Sequence, residues 1–156
     1  MLIGGLGVGF SLVEAVTDDR LRRITVVEIE RPLVDWHTTH LERFSRAGLT
    51  DPRVEVVVDD LASYLAVATT SYDVICLDID NGPDWTVTAD NRSLYDEAGT
   101  AAVTARLTAG GVLAVWSAHR VPAYEALLQR LLDDVQVLET EVARGAPDVV
   151  YLGRKP

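Results

Sequence analysis

The stretch IGGLGVG, residues 3–9, decides the fold prediction for this chain. It joins a short apolar segment, residues 1–3, to a sequence with helical period. Glycines at such a turn let the backbone bend tightly and approach a ligand closely. Three of them follow a G-x-G-x-G spacing: Gly5, Gly7 and Gly9. Phe10 stands where the dinucleotide-binding fingerprint G-x-G-x-x-G has its third glycine. The loop alone therefore fits either a nucleotide-binding site or a turn whose glycines serve only the packing of strand and helix.

Apolar β-branched runs alternate with segments of helical period beyond this loop, which is typical of a parallel sheet wrapped by helices. Strands are predicted at residues 1–3, 24–30, 53–58, 72–79, 112–117, 135–142 and 149–152. Helices are predicted from the glycine loop to residue 16 and at residues 32–48, 61–67, 93–107 and 122–132. The last two strands are too close in sequence for a parallel return. We therefore predict one α/β domain over residues 1–156, with seven strands, one of them antiparallel near an edge, and helices on both faces.

The composition argues against several classes of function. A formal net charge of −10 disfavours a nucleic-acid backbone or an anionic membrane surface as the partner. No apolar stretch approaches membrane-spanning length. The single cysteine, Cys76, lies in an apolar run and suits a buried, inert thiol, and no metal-ligand spacing is present. We expect a cytoplasmic protein without a metal that binds small molecules.

Acidic residues follow the second and third predicted strands. Glu28 lies at the interval after the glycine loop at which an acid reaches a ribose diol. Asp60 could accept a hydrogen bond from an adenine amine, cap the following helix, or do both. The alternative for Glu28 is a solvated acid at a strand end, which is the interpretation we favour for Glu30. Since neighbouring parallel strands end at one crevice, these groups predict a nucleoside-binding domain.

The segment LDIDNGPDW, residues 77–85, ends the fourth predicted strand and supplies the candidate catalytic groups. Strand alternation puts Asp78 and Asp80 on one face, at the edge of the sheet where ligands bind. Asp78 could accept a proton from an amine, and two nearby carboxylates attract a cationic substrate. Asp80 and Asn81 are candidate substrate contacts, with Trp85 as an apolar lid. The alternative is a turn stabilised by Asx side chains, with Trp85 packed on the next helix.

Five segments of the chain resemble the spermidine synthases, polyamine aminopropyltransferases with the Rossmann-like class I S-adenosylmethionine-dependent methyltransferase fold. They are IGGLGVG, VVEIE, DPRVEVVVDD, YDVICLDIDNGP and LTAGGVLAVWS. The resemblance implies ribose binding by Glu28, adenine binding by Asp60, proton acceptance by Asp78 and amine binding by Asp80 or Asn81. It also implies S-adenosylmethionine or its decarboxylated form as co-substrate, and a small cationic amine as acceptor.

Three features depart from that family's pattern. The family's glycine loop carries an aspartate where this chain has Gly7. That carboxylate attracts the ammonium of the decarboxylated co-substrate and would repel the carboxylate of ordinary S-adenosylmethionine, so Gly7 favours the ordinary form and methyl transfer. The family's acid-Ser-Ser-acid-Pro style of motif is replaced by DIDNGP, and its small N-terminal β domain has no counterpart among these residues. We predict a spermidine-synthase-like transferase of methyl or aminopropyl groups, with a homodimer as a further hypothesis.

Two other functions stay open. One is a non-catalytic nucleoside-binding or assembly module whose active site has decayed, and the other is a nicotinamide-dependent oxidoreductase. His37 and His40 are expected at the surface or at the edge of the core. Tyr95 and His119 fall near the mouth of the predicted site, where packing or surface roles are the more common ones.

Overall fold

The computed structural model describes residues 1–89 and 91–156. Its strands are β1 (Leu2–Gly4), β2 (Ile24–Glu28), β3 (Val54–Val58), β4 (Tyr72–Leu77), β5 (Leu107–Ser117), β6 (Asp133–Thr140) and β7 (Asp148–Arg154). Its helices are α1 (Phe10–Val16), α2 (Arg31–Trp36), α3 (Glu42–Leu49), α4 (Leu61–Val67), α5 (Arg92–Tyr95), α6 (Glu97–Ala105) and α7 (Pro122–Leu131). None of the helices in these residues is both long enough and apolar enough to span a bilayer.

The described strands form one sheet in the order β3-β2-β1-β4-β5-β7-β6. Strands β1 to β5 pair in parallel, and β7 runs antiparallel to both β5 and β6. Leu2 of β1 is paired with Thr25 of β2 on one side and with Ile75 of β4 on the other. The strand order therefore reverses at β1, where the loops after β1 and β4 diverge and leave a crevice. The predicted mostly parallel sheet with one antiparallel strand near its edge is confirmed.

Helices cover both faces of the sheet because alternate residues of each strand point to opposite sides. One core cluster joins α1 to the strands β1 and β2; its members are Ile3, Leu6, Leu12, Ile24 and Val26. A larger cluster joins α4, α6 and α7 to the opposite face, and it includes Leu2, Leu65, Ile75, Val103, Leu113 and Leu128. The two cores fix the loops at the carboxyl ends of β1 to β4, which form the candidate site.

The predicted single helix over residues 32–48 is wrong, because the structure divides it into α2 and α3. The Leu41 N–H donates to the carbonyl oxygen of Trp36 at 2.8 Å in the intervening turn. Gly48, expected to end the helix, lies inside α3. A Cβ at Gly48 would lie 2.7 Å from Cγ of Leu12, so the glycine allows α3 to pack closely on α1.

The predicted helix over residues 93–107 is also two helices. Asp96 separates α5 from α6, and its carboxylate caps α6 by accepting a hydrogen bond from the Gly99 N–H at 2.8 Å. Strand β5 begins at Leu107, five residues before the predicted start at residue 112. The pair Gly110-Gly111 lies inside this longer strand, where Gly110 has a φ of 74°.

Candidate functional site

A cavity of about 230 Å³ opens at the carboxyl ends of β1, β2, β3 and β4. Its acidic lining residues are Glu28, Glu30, Asp59, Asp60 and Asp78. Its apolar lining residues are Val27, Ile29, Leu33, Leu61, Ile79 and Val87. No lysine, arginine or histidine among the described residues lines it. The cavity therefore suits a molecule that has an apolar ring, hydrogen-bond donors and positive charge.

The glycine loop after β1 forms one wall of this cavity. Gly5, Gly7 and Gly9 have φ angles of 90°, 49° and 94°, in the region that side chains rarely adopt. A Cβ at Gly5 would lie 2.4 Å from the carbonyl oxygen of Asp78, so this part of the loop lies directly against the end of β4. Gly5 and Gly7 line the cavity, whereas Gly9 lies at the start of α1 against Ser45.

Glu28, the last residue of β2, is buried and held in one orientation. Its Oε2 accepts a hydrogen bond from the Leu6 N–H, and its Oε1 accepts one from the Glu30 N–H, both at 2.9 Å. A carboxylate oxygen can accept more than one hydrogen bond, so each oxygen retains a lone pair for a ligand. Glu28 therefore presents one available acceptor on each carboxylate oxygen beside the glycine loop.

Asp60 lies between β3 and α4 and has the helix-capping role considered for it above. Its Oδ1 accepts a hydrogen bond from the Ser63 N–H at 2.8 Å, which caps the first turn of α4. The same residue lines the cavity beside Leu61. The cap holds the carboxylate at the cavity wall, where it can accept a hydrogen bond from a ligand.

Asp78 follows β4 and lines the cavity with an exposed side chain. Its N–H donates to the Gly4 carbonyl oxygen at 2.9 Å, and its Oδ2 accepts a hydrogen bond from the Ser11 hydroxyl at 2.8 Å.

Burial and the charge of Asp78 together raise the pKa of the Cys76 thiol to about 11. The thiol therefore stays protonated at neutral pH, in keeping with the inert cysteine expected from the sequence.

Asp80 lies outside the cavity lining and holds the loop that follows it. It is buried, and its Oδ1 accepts hydrogen bonds from the Val87 N–H at 2.6 Å and from the Asn91 amide at 3.0 Å. Its Oδ2 is also buried. Burial, with the nearby charge of Asp80, raises the pKa of the Tyr95 hydroxyl far above its usual range. Asp80 thereby places Val87 and Asn91 at the cavity wall.

Asn81 and Trp85 also lie outside the cavity lining. The Asn81 carbonyl oxygen accepts a hydrogen bond from the Ala118 N–H at 2.8 Å, which ties the segment to the end of β5. The Trp85 side chain is 57% exposed, and its N–H donates to the Gly82 carbonyl oxygen at 3.1 Å. The structure therefore brings together Gly5, Gly7, Glu28, Asp60 and Asp78 at the cavity, and leaves Gly9, Asp80, Asn81 and Trp85 around it.

His37 was expected at the surface or at the edge of the core, and the surface position is wrong, because the residue is 2% exposed and contacts the glycine loop at Gly7. Its Nε2 is 2.9 Å from the Gly7 carbonyl oxygen, and its Nδ1 is 2.5 Å from the Ser45 hydroxyl. The break between α2 and α3 brings these residues together, and the apolar period of the sequence gave no sign of that break. His40 is exposed, as predicted.

The sequence matches a known family over most of its length. A family model described as the spermine/spermidine synthase domain covers residues 1–143. The chain belongs to the spermine/spermidine synthase family. Polyamine aminopropyltransferase 2 of Pseudomonas aeruginosa is 33% identical over 119 residues, which are 74% of this chain and 32% of that protein. A polyamine aminopropyltransferase of Aeropyrum pernix is 35% identical over 80 residues, 51% of this chain and 26% of that protein. The chain spans about a third or less of these curated relatives.

Solved structures of this family and of methyltransferases share the fold. A spermidine synthase in complex with the transition state analogue AdoDATO matches with a TM-score of 0.78 and 20% identity, over 99% of this chain and 52% of that one. Human methyltransferase-like protein 13 in complex with SAH matches with a TM-score of 0.76 and 21% identity, over 99% of this chain and 71% of that one. These likenesses confirm the predicted Rossmann-like class I methyltransferase fold.

Proposed function

We propose that this spermine/spermidine synthase family member binds an S-adenosyl nucleoside in its cavity and transfers an alkyl group from it to an amine. The observation that carries the proposal is the buried carboxylate of Glu28, held by two backbone N–H groups beside the glycine loop. Asp60 and Asp78 line the same cavity. The names of the curated relatives and the ligands of the structural neighbours support this assignment.

The residues present fit an S-adenosyl nucleoside. Glu28 would accept hydrogen bonds from the two ribose hydroxyls, and Asp60 would accept one from the adenine amine. Leu61 and Ile29 are apolar lining residues that would contact the faces of the base. Gly5 and Gly7 would let the loop backbone approach the part of the molecule beyond the ribose. The acidic lining would attract a positively charged sulfonium.

Asp78 is the proposed proton acceptor of the transfer. An S-adenosyl group supplies an alkyl carbon on a sulfonium sulfur, so transfer to an amine nitrogen breaks the carbon–sulfur bond, leaves a thioether and releases one proton from nitrogen. The exposed carboxylate of Asp78 lies at the cavity wall, where it would take that proton. Asp80, Asn81 and Trp85 stay proposed on the acceptor side, since all three lie on the segment that follows Asp78. Positioning would supply most of the rate enhancement.

As a more specific proposal, the glycine loop favours ordinary S-adenosylmethionine as the co-substrate and therefore methyl transfer as the reaction. The N–H groups of Gly7 and Val8 donate to no other described residue. Successive free N–H groups in a loop can bind a carboxylate. Apart from Gly7 and its two chain neighbours, no described residue has a heavy atom within 4 Å of a Cβ placed on Gly7, so the methionine carboxylate would have room there. Aminopropyl transfer is the second candidate, because the curated relatives carry that activity in their names.

Calorimetric titration with S-adenosylmethionine, its decarboxylated form, methylthioadenosine and NAD tests the proposal. We expect the S-adenosyl compounds to bind, NAD to fail, and Glu28→Gln to weaken their binding about tenfold or more, since two charge-assisted hydrogen bonds weaken. Glu55→Gln, at an exposed position of β3 outside the cavity lining, is the matched control. Gly7→Asp should shift preference toward the decarboxylated form, and aspartate tolerates a positive φ better than most residues.

The outcomes separate the candidate functions. If none of the four compounds binds, the proposal is overturned. Binding without transfer to any amine, unchanged in Asp78→Asn, would favour the non-catalytic nucleoside-binding module. A wild-type preference for the decarboxylated compound would favour aminopropyl transfer over methyl transfer.

We also propose that the protein associates with a second copy of itself through one face of the sheet. Ala114 and Trp116 of β5 are paired with Leu152 and Val150 of β7, and Val150 is paired with Leu138 of β6. Paired residues share a face, so these side chains form one apolar surface. They belong to neither core cluster, and Leu138 is 49% exposed.

A further inference from the structure

Ser11 connects the start of α1 to the candidate proton acceptor. Its hydroxyl donates a hydrogen bond to Oδ2 of Asp78 at 2.8 Å, across 67 positions of sequence. We infer that Ser11 is a positioning residue that orients Asp78 for alkyl transfer. This inference rests on the function proposed above.

The backbone of Asp78 is fixed by contacts that do not involve Ser11. The Asp78 N–H donates to the Gly4 carbonyl oxygen at 2.9 Å, and Gly5 lies close against the Asp78 carbonyl oxygen. These contacts leave the exposed side chain free to rotate about its χ angles. The hydrogen bond from Ser11 is the only side-chain hydrogen bond that Asp78 makes within the described residues. It therefore selects among the rotamers of Asp78.

Ser11 can select a rotamer because α1 is itself held in place. The next residue, Leu12, is 1% exposed and packs against α3 at Gly48. The preceding residue, Phe10, makes an edge-to-face contact with Phe44 of α3, with ring centroids 5.9 Å apart. The hydroxyl therefore lies on a helix that is fixed by contacts on either side of it in sequence.

The hydrogen bond has a consequence for proton transfer. Ser11 has one hydroxyl proton, and it is donated to Oδ2, so Oδ1 of Asp78 stays available for a proton from the acceptor nitrogen. Ser11 would therefore act on the rate of transfer, and the co-substrate would bind without it.

Kinetics of Ser11→Ala and Ser11→Thr test the inference. We expect Ser11→Ala to lower kcat about tenfold and to leave the Kd for the co-substrate within about twofold, since the lost hydrogen bond is to a charged group. Ser11→Thr retains the hydroxyl and should restore most of kcat. Alanine is well tolerated in helices, so the first variant should fold. Ser71→Ala, an exposed serine just before β4, is the matched control and should behave as the wild type.

The double variant separates positioning from a general structural effect. In an Asp78→Asn background, Ser11→Ala should cost no further activity, because the group that it positions is already altered. An equal loss in both backgrounds, or a wild-type kcat in Ser11→Ala, would overturn the inference while leaving the proposed function intact. A wild-type protein that binds no S-adenosyl nucleoside would overturn the proposed function and this inference with it.

Discussion

At the scale of single residues, His37 fixes the glycine loop from below. Its Nε2 faces the Gly7 carbonyl oxygen, which can only accept, so this nitrogen carries a proton. Its Nδ1 faces the Ser45 hydroxyl, whose single proton has two acceptors within reach, this nitrogen and the Leu41 carbonyl oxygen at 3.2 Å. This network ties the loop that lines the cavity to the turn after α2 and to α3.

Replacing His37 with phenylalanine should loosen this loop. The variant keeps a ring in the buried site but removes both hydrogen bonds and leaves the Gly7 carbonyl without a partner. We expect the free energy of unfolding to fall by about 1–3 kcal/mol. Binding of S-adenosylhomocysteine should weaken as well, because the loop is no longer held. Urea denaturation and calorimetry measure the two effects. His40→Phe, at an exposed position, is the control, and equal behaviour of the two variants would contradict the prediction.

The sequence allowed some residues at the cavity to be predicted and concealed others for a physical reason. Glu28, Asp60 and Asp78 could be placed there because strand period and the parallel-sheet rule fix where strand ends meet. Ser11 and His37 could not, because their contacts join residues 67 and 30 positions apart. Such contacts depend on how helices pack, which a single sequence does not specify.

At the scale of elements, the contact between α1 and α3 supports two sets of hydrogen bonds. One joins Ser11 of α1 to Asp78, and the other joins Ser45 of α3 to His37. Gly48→Ala should test the contact between α1 and α3, since the added Cβ would lie 2.7 Å from Cγ of Leu12. Overpacking lowers the free energy of unfolding by about 1–3 kcal/mol, and the better helix propensity of alanine offsets about 1 kcal/mol of that loss. We expect a net loss of about 1 kcal/mol of unfolding free energy in urea denaturation. In a Leu12→Ala background the substitution should lose its cost, and a more stable Gly48→Ala variant would show that the helices can separate freely.

The elements themselves were predicted to different degrees. The strands could be placed because apolar β-branched runs between turn residues mark them clearly. The division between α2 and α3 could not, because apolar residues continue at helical spacing through Leu41 to Phe44. No glycine or proline marks the break, at residues 37–41. His37 and Ser45 meet across it and help to hold it, so tertiary contacts override the local pattern there.

At the scale of the whole molecule, the apolar face of β5, β7 and β6 opposes the repulsion expected from a net charge of −10. Like charges keep copies of a protein apart, whereas burial of apolar area favours their association. Salt screens the first effect much more than the second. A homodimer through this face should therefore become tighter as the salt concentration rises.

Sedimentation equilibrium over a dilution series should detect this dimer and locate it. Leu138→Lys places a charge in the proposed interface and should leave the protein monomeric at every concentration, because an unpaired charge is costly to bury. Val67→Lys is the matched control, since Val67 is 78% exposed on α4, outside this face, and the variant should still dimerise. A wild type that stays monomeric in high salt would contradict the prediction, as would equal dissociation of both variants. Binding of S-adenosylmethionine should be the same in Leu138→Lys and the wild type, because the cavity lies in the β1–β4 half of the sheet.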